Sequence, residues 1–130
     1  MKAARILVIE KNDALLAKVA AALEREGYTV VAACDVLDGL RKLNEAPPDV
    51  IIMANELLMA NGKEPYRLVR EASYVPIVVL GSADKTMESL EGGADAYMMI
   101  PLAIEELVAR VHSMLRRKRP QAITEELSTN

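Results

Sequence analysis

Five short apolar runs recur along the chain, at Ile6 to Ile9, Thr29 to Ala33, Val50 to Met53, Ile77 to Leu80 and Tyr97 to Ile100, each bounded by polar or turn residues. Helical patterns fill the gaps between them. Runs of this length suit strands, and because they are apolar nearly throughout, both faces of each strand must be covered. Strands alternating with helices then predict an α/β doubly wound domain, a five-stranded parallel sheet with helices on either side. The helix signals agree. Leu16, Val19, Ala20 and Leu23 lie at helical spacing with Gly27 following as a stop, Asp35 is placed to cap a second helix, and Ile104, Leu107, Val108, Val111 and Leu115 form an apolar stripe on the last. In such a sheet the carboxyl ends of the strands at the topological switch point form the crevice where ligands or chemistry belong. Those ends are Glu10-Lys11, Ala54, Gly81 and Ile100.

At 130 residues the chain fits one domain with a sizeable core, expected over residues 1–118 and followed by a polar linker or tail at 119–130. Phe and Trp are absent, so the core is expected to be aliphatic, with the seven methionines as packing filler. A net charge of -3 argues against the whole-domain basic footprint of a nucleic-acid binder. The run from Arg116 to Pro120 is read as cations meeting a helix C-terminal dipole. Cys34, the only cysteine, excludes an intrachain disulfide and a cysteine metal cluster, and is expected as a small buried apolar side chain. With no signal peptide pattern and no apolar run near the roughly 20 residues that span a bilayer, a soluble cytoplasmic protein is expected.

Several segments carry a family resemblance. Arg-Ile-Leu-Val-Ile opens the sheet, Glu-Arg-Glu-Gly-Tyr-Thr-Val leads into the second strand, Pro-Pro-Asp-Val-Ile-Ile-Met-Ala forms the third, Val-Pro-Ile-Val-Val-Leu the fourth, and Gly-Gly-Ala-Asp-Ala-Tyr leads into the fifth. Their order over roughly residues 4–118 resembles the bacterial response-regulator receiver domain. That resemblance implies a flavodoxin-like fold with strand order 2-1-3-4-5 and a role in two-component signalling.

The family's phosphate-accepting aspartate falls on Ala54, with the alignment pinned by Pro48-Asp49 before it and by a loop glycine, Gly62, after it. An alanine methyl has no nucleophilic oxygen, so acyl-phosphate formation at this position is excluded. The acidic pair that holds Mg2+ in the family falls on Glu10 and Lys11, the phosphate-contacting hydroxyl residue that repositions a loop on Gly81, and the lysine before a proline on Ile100. Mg2+ wants an octahedral cage of hard oxygens, and an ammonium beside the site repels it. Blander readings make Ala54 and Ile100 core, Gly81 a turn and Lys11 a solvated loop charge. Glu56 and Asp13 are carboxylates near the crevice without a lysine or metal partner, and Asn55 is an amide that strand alternation turns away. No catalytic residue, metal or cofactor is expected.

Tyr97 matches the aromatic that swings between rotamers as the hydroxyl residue moves; with Gly81 in that place, it is expected to hold one orientation. Glu106-Leu-Val-Ala-Arg110, with Asp95, resembles the motif through which the winged-helix (OmpR-like) subclass pairs two receivers by the fourth helix, fifth strand and fifth helix. Ala103 leaves the last helix without a capping side chain. The sequence therefore reads as a pseudo-receiver that works through protein partners. It is expected to be the regulatory and dimerisation part of a response regulator controlling transcription, reaching DNA only through an output domain beyond this chain. A stand-alone adaptor is the alternative, and a small-molecule sensor at the crevice a distant third.

Overall fold

Residues 3–57 and 64–118 are described by the computed structural model. Gly62 and the polar stretch 119–130 lie outside the described residues. Each apolar run becomes a strand and each gap a helix: β1 (Arg5–Ile9), α1 (Asp13–Arg25), β2 (Thr29–Ala33), α2 (Val36–Glu45), β3 (Val50–Ala54), α3 (Pro65–Ala72), β4 (Ile77–Gly81), α4 (Thr86–Glu91), β5 (Ala96–Met99) and α5 (Ile104–Lys118), with a 3-10 turn at Ala83–Lys85 leading into α4. The sheet is parallel throughout, in the order β2-β1-β3-β4-β5, the flavodoxin-like arrangement.

The runs are apolar throughout because the pleat sends alternate residues into two separate cores. Leu7, Ile9, Ile51, Met53, Ile77 and Val79 face α2 and α3, packing with Val36, Leu43, Tyr66 and Val69. Ile6, Val8, Val50, Ile52, Val78 and Leu80 face α1 and α5, packing with Val19, Leu23, Leu107, Val111 and Met114. Fully burying one such aliphatic side chain contributes about 1.5–3 kcal/mol, so the sheet's two faces dominate the stability. The strand ends are tied by carboxylates. Asp49 Oδ2 accepts the Arg5 N–H at 2.8 Å, which gives the Pro48-Asp49 opening of β3 a structural role at the start of β1. Among the helix signals, Asp35 caps α2 as expected, accepting from Asp38 N at 2.7 Å, and Gly27 ends α1 with φ +89°.

Three expectations need correction. Cys34 is exposed, because it lies past the last residue of edge strand β2, in the turn where Asp35 caps α2. β5 runs one residue earlier than its apolar run. Ile100 falls outside the strand and is 44% exposed, so it is not core; Pro101, which follows it, has no N–H to extend the ladder. The methionines divide. Met53, Met98 and Met114 are buried filler, whereas Met87 and Met99 face solvent on α4 and β5.

Candidate functional site

The sheet brings Glu10, Ala54, Gly81 and Ile100 to one edge. Ile9 pairs with Met53, Ala54 with Leu80, and Gly81 with Met99, and the Ile100 N–H continues the pattern by donating to Gly81 O at 2.9 Å. Lys11 follows Glu10 and points its charge into solvent. Ala54 is 5% exposed and joins the core packed under α2 and α3. Glu10 is also 5% exposed; its Oε2 accepts the Asn12 N–H at 3.0 Å, while Oε1 is buried without a partner among the described residues. Among the described residues, no ion pair joins Lys11 to Glu10. Among the described residues, no group of three His, Cys, Asp or Glu side chains could hold a metal ion.

Asn12 joins the site without having been expected there. Its side chain caps α1 by accepting from Leu15 N at 3.0 Å, while its own N–H holds Glu10. The sequence carries a signal for it, since Asn followed by Asp13 and an apolar run marks a helix start. Asp13 lies in that first turn, and both it and Glu56 are exposed. Asn55 follows β3 in a turn, and its amide oxygen accepts from the buried Ser89 hydroxyl of α4 at 3.4 Å, an arrangement strand alternation could not foretell.

Tyr97 reaches across the crevice from β5. Its hydroxyl donates to Ser82 O at 2.5 Å. A Cβ built on Gly81 would fall against that hydroxyl and 2.9 Å from Asn55 Cβ. Half-burial pushes the Tyr97 hydroxyl above its ordinary pKa, and the nearby Asp84, Glu56 and Glu88 carboxylates push the same way. The Ser82 hydroxyl, one residue beyond Gly81, is turned to Asp84 Oδ1 at 2.5 Å and holds that carboxyl below its usual range.

The remaining candidates lie apart from the crevice. Asp95 precedes β5, and its Oδ2 accepts from both Ile77 N (2.8 Å) and the Arg70 guanidinium (2.5 Å). Arg70 also donates to Gly93 O at 3.1 Å and Ser73 O at 3.2 Å, tying α3 to β5. Glu106 and Arg110 lie one turn apart on α5, exposed and without an ion pair among the described residues. His112, on the same helix, contacts Tyr28 Oη through Nδ1 at 2.6 Å and Glu26 Oε1 through Nε2 at 2.9 Å, so it serves the α1–α5 face. Among the described residues, no helix is long and apolar enough to cross a membrane.

Residues 6–112 match the family model of the response regulator receiver domain. The chain is 38% identical over 117 residues to transcriptional regulatory protein TrcR of Mycobacterium tuberculosis, covering 87% of this chain and 46% of that protein. It is 35% identical over 120 residues to the DNA-binding response regulator MtrA of Mycolicibacterium smegmatis, covering 90% and 53%. It thus spans about half the length of the curated relatives it matches. Among solved structures, a two-component response regulator from Clostridium difficile superposes with a TM-score of 0.81 at 25% identity, over 88% of this chain and 98% of that one. Chemotaxis response regulator CheY4 of Vibrio cholerae gives 0.77 at 27% identity, over 88% and 100%. The chain belongs to the response regulator receiver domain family.

Proposed function

We propose that this receiver domain transmits signals by protein-protein contact without accepting phosphate. The observation that carries the reading is Ala54 at the carboxyl end of β3, buried and without a side-chain oxygen, in the place where the family keeps its aspartate. The surrounding groups point the same way. Mg2+, which the family uses at this edge, needs several hard oxygens at octahedral positions. Glu10 offers one uncommitted carboxylate oxygen, Ala54 and Gly81 offer no side-chain oxygen, and Lys11 brings a like charge beside the site. The donor set does not fit the ion. No step is assigned to it.

The domain is the regulatory and dimerisation part of a response regulator controlling transcription, its DNA contacts made by a separate output domain. The curated relatives, named as transcriptional or DNA-binding regulators and about twice as long, support this over a stand-alone adaptor. Pairing uses the face of α4, β5 and α5, where Glu106 and Arg110 are exposed and free to reach a second copy. Such charges set the register of pairing more than its strength. Residues 1–118 form the domain and 119–130 the linker.

The test is sedimentation over a wide concentration range, repeated with Arg110→Glu and with acetyl phosphate plus Mg2+, alongside intact-mass measurement. The expected result is self-association that Arg110→Glu weakens and the phosphodonor leaves unchanged, with no phosphoryl adduct. An adduct, or a phosphodonor-dependent change of association, refutes the phosphate-free reading. A monomer throughout shifts the conclusion to the adaptor.

A further inference from the structure

α4 has six residues, too few to persist by its own hydrogen bonds, and its position depends on what holds its ends. Two tyrosines hold them in the same manner. Ahead of α4, at the start of the 3-10 turn Ala83–Lys85 that leads into it, Tyr97 Oη donates to Ser82 O at 2.5 Å, in the space that a side chain at residue 81 would need. At the trailing end, Tyr66 Oη, from α3, donates at 3.1 Å to Glu88 O, the carbonyl that also accepts the Gly92 N–H at 3.0 Å. A Cβ on Gly92 would fall against the Tyr66 ring and 2.9 Å from its hydroxyl. Each tyrosine therefore sits in a slot left open by a glycine. Tyr66 is 1% exposed, so its hydroxyl has no ready exchange with water for the bond it makes.

We infer that α4, together with the 3-10 turn leading into it, is clamped at both ends by tyrosine hydroxyls seated in glycine slots, so that the face bearing Met87 and Leu90 is presented in one fixed geometry. The inference rests on the reading of this domain as one that takes no phosphate, and it names how the consequent single state is held. A switching element needs two arrangements of similar free energy, with some group biasing the choice. In the crevice, that choice would require a side chain at residue 81 to compete with Tyr97 for one volume. Gly81 does not compete. An outward swing of Tyr97 would break its bond to Ser82 O and leave the slot unfilled, and nothing on β4 could replace it. The second clamp, in which Tyr66 meets Glu88 O and Gly92, lies at the opposite end of α4 and does not involve the crevice. Biasing the first end alone therefore leaves the other fixed.

Hydrogen exchange on the intact 130-residue chain tests the inference, with α1 amides as the internal reference and intact mass recorded with and without acetyl phosphate and Mg2+. In the wild type, the amides of Gly92, Gly93 and Ala94, bonded to Glu88 O, Leu90 O and Ser89 O, should be protected. Tyr66→Phe and Tyr97→Phe should each speed exchange around α4 by about fivefold, the ordinary worth of one hydrogen bond, without altering α1. Gly81→Ala should do the same and make Tyr97 more reactive to nitration. Wild-type exchange across α4 at loop rates, or exchange unchanged in either phenylalanine variant, overturns the two-ended clamp whatever the mass shows. A phosphoryl adduct with the exchange pattern as expected overturns the phosphate-free reading and leaves the clamp standing.

Discussion

Replacing Asp95 separates a structural role from one at an interface. Its Oδ2 accepts the N–H of Ile77, a fully buried residue at the start of β4, and pairs with Arg70, which also holds Gly93 O and Ser73 O. Asp95→Ala leaves the Ile77 N–H without its acceptor, which costs about 1–3 kcal/mol for a buried donor. The Asp95 side chain is 46% exposed, so water can enter and the lower half of that range applies. The lost ion pair with Arg70, itself partly exposed, adds about 0.5 kcal/mol. The expected destabilisation is thus about 2 kcal/mol, a fall in Tm of roughly 6–10 °C for a domain of this size. Asp95→Asn, which keeps an oxygen for Ile77 N and gives up the charge, should lose less than half as much. Thermal and urea unfolding at low micromolar concentration, with Glu106→Ala as a surface control expected to stay within about 0.5 kcal/mol, makes the comparison. An unchanged midpoint for Asp95→Ala, with weakened self-association, would refute the structural assignment and return Asp95 to the pairing face.

Other perturbations have expected outcomes. Leu107→Ala, emptying a fully buried position where α5 meets the sheet, should cost about 3 kcal/mol by denaturant titration. Ala54→Asp would place a carboxylate in the core one strand away from the unpartnered Glu10 oxygen, and should lower stability by about 2 kcal/mol or more, with Mg2+ restoring none of it beyond an ionic-strength control. Burial raises the pKa values of Tyr28, Tyr66 and Tyr97 above the ordinary tyrosine value of about 10. Raised folded-state values make their contribution complete below that ordinary value and lost as pH rises through the folded ones, so stability should fall on the alkaline side above about pH 10, less steeply in Tyr66→Phe. On the acid side, the Arg41 and Lys42 partners of Asp38 hold its carboxyl low. That contribution is present above the ordinary carboxylate range and disappears as pH falls through the depressed value; an acid titration of Asp38→Asn should show a shallower limb.

The fold was legible because its determinants are local in sequence. A strand covered on both faces shows as an unbroken aliphatic run, and an amphipathic helix between two such runs leaves few topologies to choose from. Strand ends read to within a residue; β5 alone is displaced by one at both ends, because Met99 and Ile100 are apolar yet reach into solvent, which hydropathy does not disclose. Cys34 was misplaced for a related reason: a small apolar residue beyond an edge strand has no neighbouring strand or helix to cover it. The positions of Glu10, Lys11, Ala54, Gly81 and Ile100 around one edge followed from their places at the carboxyl ends of parallel strands. What spacing could not disclose were the contacts between distant segments: Ser89 to Asn55, Arg70 to Asp95, and Tyr66 into the slot at Gly92. Each joins residues far apart in the chain whose meeting depends on side-chain reach, and none repeats with a period.

If the domain works without phosphate, as proposed, the separation between the two cores and the carboxyl edge accounts for its keeping the fold. The stabilising burial lies in β1, β3 and β4 and the helices over them, while the positions that would carry phosphate and metal lie at or beyond the last residues of those strands. Clustered carboxylates at that edge repel one another unless a cation offsets them, so a metal-dependent site stores a cost in the empty state. Ala54 removes a charge and extends the core by a methyl, Lys11 reverses a charge, and Gly81 opens the slot that Tyr97 fills. On that reading, each change would favour a single metal-independent arrangement. On the phosphate-free reading proposed above, the family's dependence on a ligand's differential affinity would be replaced by a preference written into the strand ends, and regulation would act through what binds the α4–β5–α5 face or through how much of the protein is present.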